Sequence, residues 1–228
     1  MALRYNALMA AAGTLSLLLS GAAIVSAVAY ILATYGGAPW LRYTLKPLTT
    51  LLILAVAASF ANPISPLYRT LIVAGIVFSL AGDIFLMLPR NTFVFGLLSF
   101  LIAHLFYIAA YRAVSGFHFT WWLALPYLLY GCFMLFLLWP HVGNLRIPVI
   151  IYAAVLMLMG WQAAEQWWQV RDTSMLLAMV GAMLFVLSDT TLALNKFRGP
   201  VPHRDLIIMS TYYGAQFLIA WSVYRFPR

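Results

Sequence analysis

The chain has 228 residues, of which 65% are hydrophobic and 8% charged, with a formal net charge of +8. No water-soluble domain of this length can hide so much apolar surface, so composition points to an integral membrane protein. The 13 basic residues are scattered singly. That pattern fits loops meeting anionic headgroups and excludes a nucleic-acid partner, which needs a continuous basic track.

A helix of about 20 apolar residues crosses the hydrocarbon core of a bilayer. By that measure the chain divides into eight segments, at roughly 8–34, 44–60, 70–88, 93–111, 120–139, 147–168, 174–194 and 206–225. Short loops carrying Pro, Gly or Arg separate them, such as Gly36-Gly37-Ala38-Pro39, Pro89-Arg90-Asn91 and Gly199-Pro200-Val201-Pro202. Trp40, Trp121, Trp122, Trp139, Trp167 and Trp168 gather at segment ends, as interfacial aromatics do. The predicted fold class is therefore all-α, a polytopic membrane bundle of eight transmembrane helices forming one integral membrane domain over residues 1–228. The first segment also has features of a signal peptide, with Arg4 ahead of it and Ala27-Val28-Ala29 near its end. Its length favours a retained helix. The single cysteine, Cys132, rules out an intrachain disulfide.

Eight helices put both termini on one side of the membrane, here side A. Arg4, Arg69, Arg112, Arg171, Arg225 and Arg228 fall on side A. Arg42, Lys46, Arg90, Arg146, Lys196, Arg198 and Arg204 fall on the opposite side B. The near-equal split leaves the orientation open.

Five helices and one loop carry the candidate polar groups. Helix 2 opens with Lys46-Pro47, and the lysine is expected at its start. Helix 3 holds Asp83 behind Ala81-Gly82, and helix 7 holds Asp189 behind Ser188. Both aspartates are placed about a turn and a half from the side B end of their helices, level with Lys46. Small residues beside each acid let a neighbouring helix or a ligand approach closely. Helix 4 carries His104, with Tyr107 on the same face. Helix 8 carries Tyr212, Tyr213 and Gln216, and the loop before it is basic from Lys196 to Arg204. Glu165, beside Trp167 and Trp168, reads as an interfacial residue on side A whose head snorkels to water.

An ionised carboxylate in hydrocarbon is costly, so intramembrane aspartates line a polar cavity, pair with a partner or do chemistry. Two in one low-dielectric pocket divide into a protonated and an ionised member, the equipment of acid–base hydrolysis and equally of proton-coupled transport. The plainest alternative is structural, each acid bonding a neighbouring helix, with Lys46 as a candidate partner. The histidines are too few and too dispersed for zinc, and neither His-Glu-x-x-His nor Gly-x-Ser-x-Gly occurs. No metal and no cofactor is expected.

Together, Lys46-Pro47, Ser79-Leu80-Ala81-Gly82-Asp83, Ala103-His104-x-x-Tyr107, the run Gly181 to Ala193 with Ser188-Asp189, and Tyr212-Tyr213-x-x-Gln216 resemble the YhhN-type lysoplasmalogenase family. That resemblance implies an eight-helix membrane enzyme whose animal relatives cleave the vinyl-ether bond of lysoplasmalogens. The products are a fatty aldehyde and a glycerophospho-choline or -ethanolamine. It also implies that the family's two essential aspartates are Asp83 and Asp189, here assigned as acid and base in that order, an order that could be reversed. Lys46, Ser188, His104, Tyr107, Lys196, Tyr212 and Gln216 are the candidate substrate-binding residues, and the partners are a lysophospholipid and the bilayer. The alternative is a proton-coupled transporter of small solutes or lipids using the same aspartates.

Overall fold

The computed structural model describes residues 2–88 and 92–227, with the side chains of the first helix described from residue 13 onward. Arg90 and Arg228 lie outside the described residues, as do Pro89, Asn91 and the side chain of Arg4. The helices are α1 (Ala2–Gly36), α2 (Pro39–Ser59), α3 (Pro66–Met87), α4 (Phe93–Ser115), α5 (Trp121–Leu138), α6 (Arg146–Val170), α7 (Thr173–Phe197) and α8 (Arg204–Trp221).

Local chemistry sets their ends. Pro39 and Pro66 sit in first turns, where a missing N–H costs no helix bond. Ser65 and Asp172 cap α3 and α7 by accepting from the amides of Tyr68 and Met175, at 3.0 and 2.8 Å. Because α2 starts at Pro39, Lys46 lies two turns inside the helix and is buried, not at its start as the hydropathy pattern suggested.

Among the described residues, seven helices, α1 to α7, are long and apolar enough to cross a membrane. The eighth, α8, carries Asp205, Ser210, Thr211, Tyr212, Tyr213 and Gln216. It tolerates them because it packs against α7, α2, α1 and α3, and a helix walled by protein needs no continuous lipid-facing stripe.

The helices pack α1 on α2, α2 on α3, α3 on α4, α4 on α6, α6 on α7 and α7 on α8, and α8 closes the ring on α1 and α2. Only α5 stands outside, lying along α6 and touching α7 lightly. Glycine permits close crossings, among them α3 on α4 and α7 on α8. A Cβ at Gly75 would come within 2.2 Å of the Tyr107 ring, and one at Gly181 within 2.9 Å of the Ala215 carbonyl oxygen. The core is aromatic, with Phe185 edge-on to Phe100, His104, Tyr107 and Tyr212.

Glu165 corrects the snorkelling expectation, for it is fully buried. Its carboxylate accepts from the Thr120 amide at 3.2 Å, the Thr120 hydroxyl at 2.5 Å and the Trp161 indole N–H at 3.2 Å. The segment ahead of α5 folds back over the end of α6, so the acid finds donors inside the protein and has no need of water.

Candidate functional site

Asp83 is 1% exposed, with Gly82 behind it pressed against the Phe100 ring of α4. Lys46 Nζ stands 3.3 Å from its Oδ1. The hydroxyls of Thr50 and Tyr212 both donate to its Oδ2 at 2.7 Å. Lys46 and Thr50 are four residues apart and so share one face of α2, while Tyr212 comes from α8. One cation and two hydroxyls are the donor set of an ionised carboxylate, and a buried ion pair survives only when it is satisfied in this way.

Asp189 is held differently. It is half-buried, and its partner among the described residues is Tyr152 of α6, whose hydroxyl donates to Oδ2. Its neighbour Ser188 donates to the Ile208 carbonyl at 3.2 Å and fixes α7 to α8. Asp189 lies eight residues before the end of α7 at Phe197, and Asp83 four before the end of α3 at Met87. The two distances are unequal, unlike the expectation of a common turn and a half, because α7 extends further than its apolar run.

Both acids nevertheless line one cavity of about 350 Å³. Lys46, Ser188 and Tyr212 line it as well. Arg42, Arg204 and Asn195 supply further polar groups on its wall. Every polar lining residue comes from the start of α2, the end of α3, the end of α7 or the start of α8, together with Tyr30 near the end of α1. These are neighbouring helix ends of one side of the bundle.

Of the candidate residues, this geometry unites Asp83, Asp189, Lys46, Ser188 and Tyr212. The other four stand apart. Tyr107 donates to Gln216 Oε1 at 2.7 Å, a buried tie between α4 and α8 below the cavity. His104 is buried between Phe185 and Tyr152, with ring centroids 4.7 and 5.4 Å away, and neither ring nitrogen has a partner among the described residues. Lys196 is exposed and lies over the Phe93 ring at 4.8 Å. Shared motif position misled here, since one helical turn separates a cavity wall from packed core.

Sequence reasoning passed over Thr50, Tyr152, Arg42 and Asn195. Thr50 could have been found from its four-residue spacing to Lys46. Tyr152 had no such signal, being one of 13 tyrosines in an otherwise apolar stretch.

Residues 41–223 match the YhhN family. The chain is 30% identical over 192 residues to the membrane protein YhhN of Escherichia coli O157:H7, covering 84% of this chain and 91% of that one. It is 37% identical over 173 residues to the human lysoplasmalogenase TMEM86A, covering 67% of this chain and 65% of that protein. With human lysoplasmalogenase TMEM86B it shares 36% identity over 163 residues, covering 70% and 66%. The aligned part thus spans just under two thirds of the length of the human proteins. No solved structure matches significantly.

Proposed function

The chain belongs to the YhhN family, and from that premise we propose that it is a membrane-embedded hydrolase of the vinyl-ether bond in single-chain lysophospholipids. The observation that carries the reading is the pair of carboxylates on one polar cavity, one saturated with donors and the other nearly free. The animal relatives named as lysoplasmalogenases support the substrate class.

A vinyl ether is opened by protonating the carbon distal to oxygen, which places positive charge on an oxocarbenium ion. Water adds to that ion, and the hemiacetal collapses to an aldehyde and a free glycerol hydroxyl. The hydrogen-bond asymmetry favours Asp189 as proton donor, the reverse of the order assigned from sequence. Among the described residues no donor claims the other oxygen of Asp189, so it can carry a proton toward substrate and then take one back from the attacking water. Asp83 has no such freedom. It serves as a fixed negative charge, held by Lys46, Thr50 and Tyr212, that stabilises the cation. Arg42 and Arg204 line the same cavity, Arg204 pairing with the exposed Asp205 at 3.4 Å, and both arginines can meet the phosphate of the headgroup from the open side. Below the cavity the core is closed by Phe185, Tyr107 and Ile219, packing that favours hydrolysis over passage of a solute.

The test is aldehyde release from a lysoplasmalogen by purified protein in detergent. Asp189→Asn should lower the rate by about 100-fold or more, the usual scale for losing a general acid. Asp83→Asn should do the same, with folding checked by thermal melting. Wild-type rates in either folded variant would remove that aspartate from the mechanism.

A further inference from the structure

Asp189 stands on two cavities. Besides the polar one, it lines an apolar cavity of about 80 Å³ enclosed by α3, α4, α5, α6 and α7. Leu86, Phe100 and Leu192 form the partition between the two, since each of them lines both. Apart from Asp189 and its partner Tyr152, the polar groups on the apolar side are the Tyr130 and Thr190 hydroxyls, which bond each other at 2.9 Å and offer nothing to a ligand.

A second apolar space adjoins this cavity, with four residues as their common wall. Gly131, Leu135, Ala153 and Met157 belong also to a groove of about 340 Å³ between α5 and α6. That groove runs on to Ala124 and Trp161, near the other end of α5. From Leu138 to Ala124 the two spaces follow 14 residues of α5, about 21 Å at the helical rise. Glycines let α5 and α6 close on each other along this line, so the space between them is narrow. A Cβ at Gly131 would press on Met157 Cγ at 2.9 Å, and one at Gly160 on the Tyr127 ring at 2.6 Å.

We infer that these adjoining apolar spaces are a binding site for the single aliphatic chain of the substrate, entered from the polar cavity past Asp189. The inference rests on the lysolipid reading and goes beyond it by fixing where the chain lies and which residues measure it. Asp189, on the wall of both the polar and the apolar cavity, commits the site to an amphiphile. The phosphate stays by Arg42 and Arg204, the reacting linkage falls beside Asp189, and the hydrocarbon passes inward along α5 and α6. The path is slender, so a chain lacking a second acyl group fits and a diacyl lipid does not.

Two measurements test this. In the first, aldehyde release is compared for alkenyl lysophospholipids of 8 and 18 carbons. Ala153, which lines both spaces and makes no polar contact, is replaced in Ala153→Phe. The 18-carbon substrate should lose at least about tenfold in kcat/KM while the 8-carbon substrate keeps most of its rate. An unchanged chain-length profile in this variant overturns the inference. In the second, an alkyl-ether lysolipid that cannot be hydrolysed carries a photoreactive diazirine at its chain end. Adducts mapped by mass spectrometry are expected on Gly131, Ala153, Met157 or Tyr127. Adducts confined to Phe133, Phe136 and Leu129, which face outward, would mean annular lipid only and overturn it. The labelling needs no turnover, so if wild-type protein releases no aldehyde from any chain length, the hydrolase reading fails while the chain site is still decided.

Discussion

At the scale of single residues, the two acids differ in what surrounds them more than in where they stand. Asp83 accepts from three side chains on two other helices, and Asp189 from one tyrosine. In the proposed mechanism Tyr152 therefore positions the acid. Tyr152→Phe removes the donor to Asp189 and little volume. The expected result is a fall in kcat of about tenfold with KM nearly unchanged, consistent with losing one hydrogen bond worth about 1 to 2 kcal/mol. A variant with wild-type kcat would show that Asp189 needs no such partner. Lys46, Asp83, Asp189 and Tyr212 were legible in sequence, because a charge within an apolar run is rare and its spacing can be counted. Tyr152 and Thr50 were not, because hydroxyl-bearing residues are ordinary in membrane helices and only the fold shows what they touch.

Among the elements, the apolar runs foretold α1 to α7 to within a few residues at most ends, with the exceptions of α1, which begins at Ala2, and α2, which begins at Pro39. The interior place of α8 was not written in hydropathy, since its polar groups look ill suited to lipid until its neighbours are known. Nor does the pattern show that α5 is peripheral, for its composition is as apolar as any helix of the ring. Close crossings carry the alignment of α3 with α4, and with it the position of Asp83. Gly75→Leu would drive a side chain into Tyr107, which is already bound to Gln216. Overpacking of that kind costs about 1 to 3 kcal/mol or more. A thermal melt in detergent should show a clear loss of stability, whereas the same change at Gly13, with nothing within 4 Å, should leave the melt unmoved. Equal melts for both variants would contradict the tight α3–α4 crossing.

For the whole molecule, the decisive property is one-sidedness. The polar walls of the cavity come from helix ends at one side of the bundle, and an aromatic core closes it from the other. A substrate whose charged headgroup cannot cross the bilayer should thus be reached from one leaflet alone. With protein inserted uniformly into liposomes and its direction mapped by protease, lysolipid added outside should be hydrolysed in one orientation and spared in the other. Comparable rates in both would mean that the cavity opens to both faces.

The anchoring of α5 has a consequence of its own. Glu165 clasps the first residue ahead of that helix, and the far end is tied to α7 by the Tyr130–Thr190 hydrogen bond at 2.9 Å and by Met134 and Leu138 in one cluster with Ala193, Leu194 and Phe197. The helix is thus held at both ends yet stands outside the ring that aligns the carboxylates. In the proposed reading, a change along α5 alters the room for the tail and leaves that ring undisturbed. Tolerance toward the tail and strictness toward the bond to be cut would so be assigned to separate pieces of the architecture.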